Sequence, residues 1–370
     1  VNQTILQFLK RYDFSFLGSM LSIFIVGVLN LYSATHAQSS EGLDQLYRSQ
    51  IIWFILANIV AITISLINPK TIERLAYIVY ALTLLLLFLV LLMGDVGMGA
   101  QRWLVIGPLR MQPSEFMKIG LALALARYFT QFNPEREMGF KDLLIPGIIA
   151  GIPAVMVIVQ PDLGTGMLLL LIFSIMIFYK RLRWKTIVSL GGLALIGGFL
   201  MYNFGLREYQ KKRIITFIDP YADAKGSGYN AIQSEIAIGS GRLLGKGFKN
   251  SSQAYLNYLP ENHTDFVFAI FNEEHGFFGS LFLIMLYTIL LLRLVWLASS
   301  VQRFFDSVIV IGIMGIFFCH TFINMGMVAG LMPIVGVPLP LMSYGGSSML
   351  TFGVCIGIVT SISNNRNFFN

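Results

Sequence analysis

Charge is what this sequence has least of: 12% of its 370 residues are Asp, Glu, Lys or Arg, whereas roughly a quarter are charged in soluble domains. With 56% hydrophobic residues, a soluble fold is excluded. Cysteine is scarce too. Cys319 and Cys355 each lie inside a long apolar stretch, as small hydrophobes do, and no metal-ligand spacing surrounds either. His263, His275, Glu273 and Glu274 form no HExxH or comparable pattern, so no dedicated metal site is expected. Nor is there a nucleotide loop: in Gly239-Ser240-Gly241-Arg242-Leu243-Leu244-Gly245-Lys246-Gly247, Ser240 replaces the first glycine of a Walker A motif and Gly247 replaces its magnesium-binding Ser or Thr. No basic run is interleaved with aromatics, so the net charge of +7 does not point to nucleic acid. Internal repeats and low-complexity tracts are missing as well, and many secondary transporters carry such repeats.

What is present is a series of apolar stretches near the length of about 20 residues needed to cross a bilayer. Ten can be marked, at residues 14–32, 50–67, 75–93, 116–132, 143–160, 163–179, 187–202, 276–298, 308–328 and 347–363. The sixth is short and the fourth the least apolar. Lys10 and Arg11 before the first stretch resemble a signal peptide, but that stretch is long for one and no clear cleavage site follows, so it reads as a retained span. The expected fold is all-α, a single polytopic membrane domain over residues 1–370. Basic residues concentrate in one set of connections, from Lys10, Arg11 and Lys70 to Arg293, Arg303 and Arg366, which places both termini in the cytoplasm. One connection, residues 203–264 between the seventh and eighth spans, is too long for a turn and too aromatic for a solvated linker. On this orientation it is a large loop outside the cytoplasm.

Ionisable residues at membrane depth are functional candidates by default. Glu115 and Lys118 follow a helix start at Pro113 and Ser114 and share one helix face, as a structural ion pair or as part of a cavity. In Leu259-Pro260-Glu261-Asn262-His263-Thr264-Asp265-Phe266, Thr264 or Asp265 could cap the next helix, or Asp265 could be a carboxylate base at the mouth of a membrane cavity. The glycine cluster, with Arg242 and Lys246, reads as a tight loop or as a phosphate contact. From Asn324 to Ser348, prolines and glycines beside a span preclude regular helix, and irregular backbone at that depth persists only where protein or a cavity encloses it.

Together these stretches resemble the SEDS family (shape, elongation, division and sporulation). Its C-terminal signature is met from Asn324 to Ser348, including Ser343, Gly345 and Gly346. Gln101-Arg102-Trp103, Gln112-Pro113-Ser114-Glu115-x-x-Lys118, Gln160-Pro161-Asp162-Leu163-Gly164-Thr165, Gln233-Ser234 and the motif ending at Phe266, with His263 and Thr264, also fit. Residues 236–241 and 245–247 look like the elongation branch rather than the division-specific paralogue. Asn262 stands where that branch often has Arg, which removes one cation.

The resemblance implies a peptidoglycan glycosyltransferase of the bacterial inner membrane that polymerises lipid II. Its expected partners are a class B penicillin-binding protein and elongation proteins of the MreC and MreD kind. By motif, the catalytic Asp carries over to Asp265 and the functionally important Glu and Lys to Glu115 and Lys118. One base suffices when the leaving group is a diphosphate, given cations on the developing charge; Arg102, Arg110, Lys118, Arg242 and Lys246 are the candidates, and a divalent ion (Mg or Mn) could assist them. The competing readings are a lipid II flippase and a scaffold for wall-synthesis enzymes.

Overall fold

The computed structural model describes residues 13–36, 45–97, 100–107, 109–132, 136–205, 208–224, 226 and 228–366. Helices occupy all ten apolar stretches: α1 (Phe14–His36), α2 (Leu46–Ser65), α3 (Pro69–Met93), α4 (Pro113–Phe129), α5 (Leu144–Val159), α6 (Leu163–Tyr179), α7 (Trp184–Leu200), and, beyond the long loop, α11 (Val267–Ser300), α12 (Phe304–Val328) and α13 (Gly346–Arg366). Eight of these stretches are long and apolar enough to cross a membrane by length and composition. The exceptions, α4 and α6, have 17 residues each; at 1.5 Å per residue they reach roughly 25 Å. The buried length of α4 lies inside the bundle, between α3 and α12.

Several helix starts follow directly from local chemistry. Asn68 accepts the Lys70 N–H at 2.9 Å with Pro69 in the first turn of α3, Pro113 opens α4, and Asp162 accepts the Thr165 N–H at 3.2 Å to cap α6. At one end of the bundle Arg293 on α11 donates to Asp13 at 2.6 Å, while Arg366 stacks 4.4 Å from the Trp296 ring and donates to Ser300. Glu73 joins Arg127 and Arg303 by ion pairs. Both ends of the described chain therefore sit at the same end of the bundle. Lys10 and Arg11 lie outside the described residues.

The all-α membrane fold is as expected, with one small addition. Between α3 and α4 the chain forms a small antiparallel sheet, β1 (Asp95–Gly97), β2 (Ala100–Ile106) and β3 (Leu109–Met111), in that order, with Asp95 opposite Trp103 and Leu104 opposite Met111. Strands this short carry too few side chains for a period of two to stand out, although Gly107, at φ +61°, supplies the turn.

The long loop is folded. It contains α8 (Glu208–Ile218), α9 (Tyr229–Gly241) and α10 (Ser252–Tyr255). Its glycine cluster clasps the start of α11: the N–H groups of Lys246 and Gly247 donate to the carbonyls of Glu273 and Glu274, both at 2.9 Å. Gly245 has φ +77°, and a Cβ there would come 2.1 Å from Glu274 O. The apolar reading placed the start of the eighth span at Gly276, yet α11 begins nine residues earlier. Loop groups explain the difference, since buried Glu273 accepts from Lys246 Nζ at 2.5 Å and from Ser252 Oγ at 2.6 Å. Gly276, at φ +63°, is where the helix kinks.

Candidate active site

The segment from Gly330 to Tyr344 returns into the bundle without regular structure and meets residues 263–265. Prolines reduce its burden of N–H groups, and its carbonyls are taken by side chains. Asn324 Nδ2 donates to Val337 O at 2.8 Å, His320 Nδ1 to Pro338 O at 2.9 Å, and Tyr287 Oη to Pro340 O at 2.6 Å. The same Asn324 amide donates to Asp265 O at 2.8 Å. Ser343 Oγ donates to Thr264 O at 2.6 Å and accepts from Leu339 N at 2.8 Å, while Tyr344 N donates to His263 O at 2.9 Å. The carbonyls of His263, Thr264 and Asp265 are thus each held by a donor, and the Asp265 carboxylate is left over.

That carboxylate does not cap α11. Phe266 is the N-cap residue and makes no side-chain cap, and the Thr264 hydroxyl is spent on Glu261 at 2.9 Å. Gly336, at φ +71°, lets the segment pass close by: a Cβ there would lie 3.2 Å from Asp265 Oδ2. Burial pushes the Asp265 carboxyl up from 3.8 to about 6; Glu261 and, more weakly, Asp162 add to the rise, while Arg213 and Arg102 oppose it. Burial also holds the His263 imidazole below its usual range against the pull of Glu261, so it is neutral at pH 7.

A base must be unprotonated to act, so activity that depends on Asp265 falls as pH drops through about 6. The expected kcat/KM profile against pH has an acid limb near that value, and an Asp265→Glu variant moves the limb. A limb that stays put in this variant belongs to another group. The same shift acts on stability with the opposite sign. The folded form keeps the proton longer, so stability is lost as pH rises from about 4 to about 6.

Beside Asp265 opens a groove of about 640 Å³ between α6 and α12. Met167, Leu171, Ile175, Phe178, Phe318 and Phe322 make its walls, along α6 from its N-terminal turns almost to its C-terminal end. Its charged groups gather at the mouth, with Gln210: Arg102 from β2, Asp162 at the head of α6, and Arg213, like Gln210, from α8. Arg102 lies 3.7 Å from Asp162 and donates to Pro161 O at 2.5 Å. Val335, which precedes Gly336 in the chain, forms part of the wall and packs on Gly164, where a Cβ would come 2.6 Å from Val335 O.

Glu115 and Lys118 lie deeper, as neighbours of a third group. Lys118 Nζ donates to Glu115 Oε1 and His320 Nε2, both at 2.7 Å, and all three side chains are buried. The other residues named from sequence are placed apart. Lys246 is paired with Glu273 and Arg242 is exposed; Arg110 stacks on Trp103 at 5.0 Å in the sheet. Ser234 is buried in α9 and donates to Ala231 O, beside Gln233. Gly345 N donates to Gln50 Oε1 at 3.4 Å, and Gly346 packs against the Trp53 ring. Sequence reasoning missed His320, Gln210 and Arg213. His320 is distant in the chain from Lys118, and the loop arginine carried no motif; only its place on an amphipathic loop helix could have marked it.

An apolar groove that ends in a carboxylate and two arginines defines a membrane protein that handles a lipid with a charged headgroup. The family model described as cell cycle protein, covering FtsW, RodA and SpoVE, matches residues 14–368, and the chain belongs to that family. It is 38% identical over 351 residues to the peptidoglycan glycosyltransferase MrdB of Escherichia coli K12, covering 94% of each chain, and 28% identical to the peptidoglycan glycosyltransferase RodA of Treponema pallidum, covering 95% of this chain and 97% of that one. Among solved structures it superposes with a TM-score of 0.83 at 31% identity on a chain described under structural coordination of polymerization and crosslinking by a peptidoglycan synthase complex, covering 96% of this chain and 98% of that one. Thermus thermophilus RodA gives 0.71 at 29%, covering 96% and 97%.

Proposed function

We propose that this peptidoglycan glycosyltransferase polymerises lipid II during cell elongation, with Asp265 as its single general base. The observation that carries the reading is the apolar groove with Arg102, Asp162 and Arg213 at its mouth, where both arginines act electrostatically on the neighbouring Asp265 carboxyl. The groove takes the polyprenyl chain of one substrate, and its diphosphate then lies among the arginines.

The acceptor hydroxyl attacks the anomeric carbon of the donor as Asp265 takes its proton. The bond from that carbon to the diphosphate oxygen breaks, and its electron pair leaves with the diphosphate. Direct attack inverts the α-linked donor and forms a β-1,4 bond. A glycosidase also needs an acid for its poor leaving oxygen, but diphosphate leaves unprotonated. Arg102 and Arg213 face the charge that develops on it. A Mg or Mn ion carried on the diphosphate would add to them.

The working partner is a class B penicillin-binding protein, in keeping with the polymerising and crosslinking complex that the fold matches, with MreC- and MreD-like proteins beside it. The setting is the bacterial inner membrane, with both termini in the cytoplasm and the groove mouth outside. A flippase reading has less support, because Glu115 and Lys118 are closed into a buried triad with His320.

Purified protein with its partner, given lipid II in detergent, is expected to yield glycan polymer; lipid II that changes leaflets in vesicles without polymer would support the flippase. In the same assay Arg213→Ala lowers kcat/KM by about 10- to 100-fold, and Arg213→Lys recovers part of it. An unchanged kcat/KM in Arg213→Ala would remove this arginine from the site.

A further inference from the structure

We propose that His320 is a positioning residue for Asp265, carrying the state of the buried Glu115–Lys118 pair to the backbone that holds the base. The inference rests on the reading of Asp265 as the base, and the geometry of the ring carries it.

A carbonyl oxygen only accepts, so the ring nitrogen facing Pro338 O at 2.9 Å is the one that bears the proton. The other nitrogen, Nε2, is then a lone pair, and it accepts from Lys118 Nζ at 2.7 Å. The imidazole is neutral and its tautomer is fixed from both sides. Phe352 meets the ring edge-on at 5.5 Å between centroids and restricts its rotation. The connection continues through one peptide unit: Pro338 follows Val337, whose carbonyl shares the Asn324 amide with Asp265 O. From Glu115 to Asp265 the path is therefore Glu115, Lys118, His320, Pro338, Val337, Asn324, Asp265, and every step is a hydrogen bond or a peptide bond.

Phe352, packed against the ring, carries no charge, and among the described residues Lys118 is the charged group that Nε2 meets. Loss of the ring leaves two needs unmet at once. Lys118 loses an acceptor and Pro338 O loses its donor, in surroundings where unpaired polar groups are costly. The segment then relaxes, and its displacement is passed to Asp265. Substrate contacts at Arg102 and Arg213 belong to β2 and α8 and are not on this path.

The test compares His320→Leu with His320→Gln in lipid II polymerisation, with lipid II binding measured on the same samples. A glutamine can accept from Lys118 through Oε1 and donate to Pro338 O through Nε2, so it restores both bonds. Leu is expected to lower kcat by about 10- to 100-fold while KM and lipid II affinity stay within about twofold, because a small misplacement of a reacting group costs turnover more than binding. Gln is expected to return kcat to within about threefold of the unsubstituted protein. Retained binding shows that the Leu variant is folded. Should Leu keep full kcat, or Gln be as slow as Leu, the positioning role is refuted. Asp265→Ala, run alongside, separates the two claims: if it is inactive while His320→Leu is active, only this inference fails, and if it is active the base assignment itself fails.

Discussion

Replacing Lys118 by Met is expected to destabilise the protein by about 3–5 kcal/mol, because removal of one partner of a buried ion pair leaves the other charge uncompensated. Among the described residues Glu115 has no other basic side chain paired with it. Its Oε2 is already buried without a hydrogen bond, and Oε1 depends wholly on Lys118. The double variant Lys118→Met/Glu115→Gln removes the stranded charge and is expected to regain most of the melting temperature in detergent. Its polymerisation stays low, since His320 has still lost the ammonium that fixes its ring. A single variant that melts with the unsubstituted protein would show that the pair contributes nothing to stability. A double variant with full activity would confine the triad to a structural role.

This triad also marks how far the sequence could be read. The three-residue spacing of Glu115 and Lys118 was enough to put them on one face and in reach of each other. Nothing local to that motif announced His320, which sits in the middle of an apolar run 202 positions away and reaches Lys118 only when α4 and α12 pack. Helices were legible because their runs are long, and Pro113 marked the start of α4 as composition suggested. The eighth span was misplaced at its start because the charged pair Glu273 and Glu274 interrupts the apolar run just before Gly276. Their solvent is protein: the folded loop, through Lys246 and Ser252 on Glu273, and α1, through Ser33 Oγ on Glu274 at 2.5 Å. The glycine cluster read as a phosphate cradle or a tight loop, and its N–H groups turn out to be occupied by the carbonyls of α11. The 324–348 segment was legible as irregular backbone needing an enclosure; which side chains would enclose it was not, since Asn324, His320 and Tyr287 come from two helices that only the tertiary fold brings together.

The second large effect falls on Asp265 itself. General-base catalysis contributes about 10²- to 10⁴-fold, and the site described here has a single carboxylate in position to provide it. Neighbouring acids do not substitute: Asp162 is committed to capping α6 and to Arg102, and Glu261 holds the Thr264 hydroxyl. Asp265→Asn is nearly isosteric, and because the backbone carbonyl, not the carboxylate, carries the contact to Asn324, the substitution is expected to leave the loop in place. Binding of lipid II should then survive while turnover does not.

The most direct measurement is therefore glycan polymer formed by purified protein and partner from lipid II, for the unsubstituted chain and Asp265→Asn, with lipid II affinity determined on both preparations. The account predicts polymer from the first, at least about a hundredfold less from the second, and affinities within about twofold of each other. Polymer from Asp265→Asn at an undiminished rate would contradict it.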